Sequence, residues 1–107
     1  MNDGKPERAF FRVEYPFNAR PFLVLGEESY EILDLSEQGL RFSLEGKKPP
    51  DLLSTVKAVI RFVDTEWAVE GTPIRSTVRE VCLLLKKGIP WRRILEEQRR
   101  LIRSGRI

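Results

Sequence analysis

The sequence predicts an all-β domain: five or six short antiparallel strands closed into a small barrel, followed by one α-helix. Three observations carry this prediction. Apolar and polar residues alternate with a period of two in several runs between Phe11 and Leu85. Gly and Pro clusters punctuate those runs at short intervals, as they do between the strands of small barrels. After Pro90 the period changes to that of a helix. A chain of 107 residues fits one domain with one modest core, and barrel closure removes the exposed sheet edges that separate strands would leave.

Taken in order, residues 1–7 are polar, contain Gly4 and Pro6, and read as a loose leading segment; the folded domain then spans 8–107. Val13, Tyr15 and Phe17, followed by Ala19, Phe22 and Val24, read as the apolar face of one long strand, bent or bulged near Pro16 and Pro21. Gly26-Glu27-Glu28 closes it in a turn. Ser29 to Asp34 and Gly39 to Leu44 form two short strands, with Leu40, Phe42 and Leu44 on one face. Gly46 to Asp51, with Pro49-Pro50, is a break, after which Val56, Ala58, Ile60 and Phe62 alternate. Trp67, Val69 and Ile74, then Val78 to Leu85, supply two more strands, the last central because it is nearly all apolar. The barrel thus covers about 11–86. The helix covers about 90–104: Pro90 suits a first turn, Gly105 a stop, and Trp91, Ile94, Leu95, Gln98, Leu101 and Ile102 share one face, with arginines and glutamates on the other.

The composition excludes several function classes. There is no histidine, the commonest general base and metal ligand, so serine-histidine and cysteine-histidine mechanisms are out. The single cysteine, Cys82, forms neither an internal disulfide nor a cysteine-cluster zinc site, and its apolar neighbours assign it to the core. No phosphate-cradling glycine loop is present, so binding is expected rather than catalysis, with no metal and no cofactor. No segment reaches the roughly 20 apolar residues of a membrane helix, and the polar start lacks the apolar stretch of a signal peptide, which makes the cytoplasm the expected compartment. The net charge of +3 hides a gradient, because residues 86–107 carry eight cations against two anions.

Two short motifs carry chemistry. Arg8-Ala9-Phe10-Phe11-Arg12 sets two guanidiniums four residues apart, each a planar fork that grips a phosphate or a guanine edge bidentately. Asp34-Leu35-Ser36-Glu37-Gln38-Gly39 places a carboxylate, a hydroxyl and a glycine around a turn between strands. Asp34 accepts hydrogen bonds from a guanine edge or holds a binding arginine, and Ser36 both donates and accepts. Gly39 is expected to turn the backbone with positive φ and to leave room for a ligand. Each motif alone also reads as a solvated basic pair or a side-chain-closed turn. In this order, with strand-like sequence between and after them, they point to a guanine nucleotide.

From about Glu7 to Arg103 the order of arginine pair, long strand, turn, strand, Asp-x-Ser-x-x-Gly turn, further strands and terminal helix resembles that of the PilZ domain family. The resemblance implies a six-stranded antiparallel barrel with one C-terminal helix that acts as a receptor for the bacterial second messenger cyclic di-GMP. Arg8 and Arg12 would then grip phosphates and guanine faces, while Asp34, Ser36 and Gly39 line the opposite wall. It also implies an unidentified downstream effector protein, to which binding relays a conformational change. Glu7 and Ala9 flank the first arginine where many members carry further basic residues, so the site takes one or two ligand molecules.

Two other features keep alternative readings. The apolar stripe of the terminal helix either caps the barrel or docks a partner; in the second case the protein is an adaptor acting through its basic helix on protein or RNA. Nucleic acid is the less expected partner, because Glu96 and Glu97 interrupt the basic field and no aromatic platform accompanies it. Arg75, near the end of a strand, faces either the ligand cleft or solvent.

Overall fold

The computed structural model describes residues 11–50 and 54–105. The expected loose segment 1–7 and the candidate residue Arg8 lie outside the described residues. The elements are β1 (Arg12–Glu14), a 3₁₀ turn (Phe17–Ala19), β2 (Phe22–Leu25), β3 (Glu28–Ser36), β4 (Gly39–Ser43), β5 (Val56–Arg61), β6 (Glu66–Ser76), β7 (Glu80–Leu85) and α1 (Trp91–Arg103). All strand pairings are antiparallel. The order β3-β2-β5-β6-β7-β4 closes through a β3–β4 pairing into a six-stranded barrel, and β1 adds one further strand on β3.

That further strand is the first half of the long strand expected from the sequence. β1 pairs with Asp34–Ser36 of β3 and β2 with Glu28–Glu31, both antiparallel. Between them Tyr15 donates its N–H to the Leu33 carbonyl at 3.0 Å, and Ile32 donates to the Pro21 carbonyl at 2.9 Å. One broken strand therefore runs along a single edge of β3. The break falls at the prolines, which have no N–H to donate to a ladder. The 3₁₀ turn also changes which residues face inward: Leu23 is fully buried, whereas Phe17 and Phe22, expected inside, are 73% and 41% exposed.

Elsewhere the period of two holds. Leu40, Phe42 and Leu44 point into the barrel beside Ala58, Ile60 and Phe62, and Val81, Leu83 and Leu85 complete the lining. β7 is not buried on both sides, as its composition had implied. Leu84 and Cys82 alternate outward, so Cys82 is half-buried on the outer surface rather than in the core. Val78 stands 90% exposed in the β6–β7 turn, where it ends no strand.

Helix α1 starts directly after Pro90 and ends at Ser104 and Gly105, whose φ of 74° is the left-handed conformation glycine adopts without strain. Ile94 and Leu101 are fully buried against the barrel core together with Ile89 of the connector. The polar face departs from expectation, because Glu97 is buried. Its carboxylate accepts from the Tyr15 hydroxyl at 2.7 Å and pairs with Arg100 at 3.0 Å and Arg93 at 3.5 Å. Arg93 also reaches Asp64 at 3.1 Å and lies 4.2 Å over the Phe62 ring. The hydrogen bond from Arg93 holds the Asp64 carboxyl below its usual range. Charge pairs, and not the apolar stripe alone, thus seat the helix on β1 and the β5–β6 turn.

Candidate functional site

Two β-bulges build the site. On β3, Tyr30 and Ile32 point inward, so an unbroken strand would bury Asp34 inside the barrel. The register shifts between Ile32 and Asp34, with Ile32 opposite Phe42 but Asp34 opposite Arg41. One extra residue in the strand turns Asp34 and Ser36 to the outer face while Leu35 takes the inward position. The same device recurs on β6. Trp67, Val69, Gly71 and Pro73 alternate inward, and a register shift between Pro73 and Arg75 sets Arg75 opposite Cys82, which faces out. The outer face consequently carries a row across five strands: Glu14, Asp34, Arg41, Cys82 and Arg75.

This row forms the floor of an open groove of about 640 Å³, within the range of small-molecule sites. Four of the five sequence-derived site residues line it: Arg12, Asp34, Ser36 and Gly39. Arg8 lies outside the described residues. Arg41 and Glu80 also line the groove, unassigned from the sequence, and so does Arg75, for which cleft and solvent were both open. Arg41 was legible, since a period of two from Gly39 puts it on the same face of β4. Glu80 and Arg75 were not, because their place depends on pairing and on a bulge.

Asp34 is the centre of the polar network. Its side chain is 3% exposed, yet both oxygens are engaged: Arg12 donates to Oδ1 at 3.2 Å, and Arg41 donates to Oδ2 through Nε at 2.9 Å and Nη2 at 2.8 Å. Arg41 is held from the other side by Glu80 at 2.7 Å. That hydrogen bond first, and the Asp34 charge after it, raise the Arg41 pKa beyond its already high value, so this cation is permanent. Arg12 differs. It is half exposed and spends one N–H on Asp34, which leaves the rest of its fork directed at the groove.

Ser36 and Gly39 close the hairpin. The Ser36 hydroxyl donates to the Gly39 carbonyl at 3.3 Å. Gly39 does not have positive φ, contrary to the expectation from its turn position. It is glycine because a Cβ there would stand 2.9 Å from the Leu83 carbonyl of the paired strand. The turn itself is tied to the end of β7 and to the β7–α1 connector: Leu85 donates to Gln38 O at 2.8 Å and Ile89 to Glu37 O at 2.7 Å. Gly88 is needed at that junction, where a Cβ would meet the Glu37 oxygen at 2.5 Å.

Among the described residues no group of Cys, Asp and Glu side chains is placed to hold a metal ion, and no helix is long and apolar enough to cross a membrane. No family model matches the chain, and no curated protein matches it. Among solved structures, the fold is similar to that of an uncharacterised Legionella protein, with a TM-score of 0.64 and 15% identity over 92% of this chain and 100% of that one. At that identity the likeness is one of fold.

Proposed function

We propose that this protein is a cyclic di-GMP receptor that binds the messenger in the groove beside β1, β3 and β4. The observation that carries the reading is convergence. Arg12, from the leading arginine motif, and Asp34, Ser36 and Gly39, from the turn motif, line one groove although 21 residues separate the two stretches. A cyclic dinucleotide needs forks for its phosphates and donor–acceptor pairs for its guanine edges, and arginine supplies both.

The network also gives a mechanism for exchange. A ligand phosphate competes with Asp34 for Arg12. When Arg12 leaves, Asp34 does not become a bare buried charge, because Arg41 remains on its second oxygen and Glu80 keeps Arg41 in place. Movement at the turn then reaches α1 through the Glu37 contact with Ile89 of the connector, beside the Gln38 contact with the end of β7, which supports relay to an effector protein. The adaptor alternative is weakened by the pairing of Arg93 and Arg100 with Glu97, which removes two cations from the basic face.

Isothermal titration with cyclic di-GMP, with GTP as control in moderate salt, tests the reading. Saturable, selective binding that Arg12→Ala weakens about 5- to 150-fold is expected; its stoichiometry decides between one ligand and two. Absence of saturable binding by the wild type overturns the reading.

A further inference from the structure

Resting on that reading, we infer that Arg75, with Ile74 and Leu84, forms a guanine seat at the far end of the groove from Arg12. Three arginines line the groove and they differ in what they hold. Arg41 is committed to Asp34 and Glu80, and Arg12 gives one bond to Asp34. Arg75 makes no hydrogen bond or ion pair among the described residues, and the β6 bulge turns it outward onto the groove floor. Bulges beside binding sites re-aim side chains in this way.

The two ends of the groove also differ in polarity. Around Arg12 the neighbours Glu14, Asp34 and Arg41 are all charged, and Arg12 is the cation there with N–H groups left over for a phosphate. Around Arg75 they are Ile74 and Leu84, apolar side chains left 63% and 48% exposed, the half-buried Cys82, and Glu80, whose carboxylate is already held by Arg41. An apolar bed beside a free guanidinium fork suits a flat base whose edge presents two acceptors, as guanine does with O6 and N7. The spacing fits a dinucleotide. From β1 to β6 there are four strand steps through β3, β4 and β7, roughly 19 Å along the curved sheet at about 4.8 Å per step. With long side chains reaching in from both ends, one cyclic dinucleotide spans the interval, whereas a mononucleotide does not.

The test is calorimetric titration of wild type, Arg75→Ala and Arg75→Lys with cyclic di-GMP and with cyclic di-AMP, whose adenine edge pairs a donor with N7 and mismatches the fork. Arg75→Ala is expected to lose about 5- to 150-fold in affinity for cyclic di-GMP, to narrow the preference over cyclic di-AMP by a similar factor, and to melt like the wild type. Arg75→Lys is expected to stay close to Arg75→Ala, because a point charge does not replace a fork. Arg75→Ala affinity within twofold of wild type, equal loss for both ligands, or full rescue by lysine each overturns the assignment. If the wild type itself does not saturate with cyclic di-GMP, the receptor reading fails and takes the seat with it, an outcome visible before any variant is compared.

Discussion

Asp34 lies between two cations of unequal freedom, and that asymmetry predicts what its removal does. Asp34→Ala leaves Arg41 with Glu80 and leaves Arg12 half in water, so neither partner is stranded as a buried charge. The expected loss is about 1–2 kcal/mol in urea unfolding, below that of a fully buried pair. Arg12→Ala removes one half-exposed contact and is expected to change stability by less than about 1 kcal/mol while it impairs ligand binding. Stability and binding effects of the two residues thus separate. Gly39→Ala forces a Cβ against the Leu83 carbonyl and is expected to destabilise by about 1–3 kcal/mol, read in the same unfolding experiment. Asp34, Ser36 and Gly39 were legible as a motif because their spacing is local. The reason for Gly39 was not, since the atom it avoids belongs to a strand more than forty residues away in sequence.

The elements show the same division. Period-two alternation located the strands, and the prolines located the break between β1 and β2. The 3₁₀ turn and the two bulges, each a shift of one or a few residues, decided which face Phe22, Asp34 and Arg75 present. A trace of the β3 bulge is visible in the sequence, where the inward residues Ile32 and Leu35 stand three apart. Helix α1 was legible from its apolar spacing, but Glu97 was assigned to solvent because its buried partner, Tyr15, is 82 residues away in sequence. That bond has a pH signature. Burial, and then the Glu97 carboxylate, push the Tyr15 hydroxyl well above its usual 10.0. A phenol whose folded pKa is raised contributes stability that is complete below about pH 10 and is lost as pH rises further, because the unfolded chain then releases its proton first. Tyr30 is shifted the same way, also chiefly by burial. Urea unfolding at pH 8 and pH 11 is expected to show a smaller alkaline loss in Tyr15→Phe than in wild type, with a remainder from Tyr30. At pH 8, Tyr15→Phe is expected to be about 1–2 kcal/mol less stable, since it removes a hydrogen bond to a buried carboxylate.

At the scale of the whole molecule, barrel closure brings β1, β3, β4, β7 and β6 into one curved surface and so makes a groove from residues 12 to 84. A ligand held across that surface ties five strands together, and binding should therefore appear as global stabilisation. At a hundredfold excess over Kd, cyclic di-GMP is expected to add about 2.7 kcal/mol, a rise in Tm of roughly 10–20 °C for a domain this small. Thermal melts with and without ligand measure it, and Arg12→Ala is expected to reduce the shift at the same ligand concentration. By itself the sequence determined the class of the fold, the strand and helix runs, and the two motifs, because alternation, turn chemistry and motif spacing are properties of neighbouring residues. Only the tertiary structure decided that Cys82 faces out, that Glu97 is buried, and that Glu80 and Arg75 join the groove. Those outcomes depend on strand register and on bulges, where a shift of one residue moves a side chain to the other face of the sheet and no local pattern records which partner lies opposite.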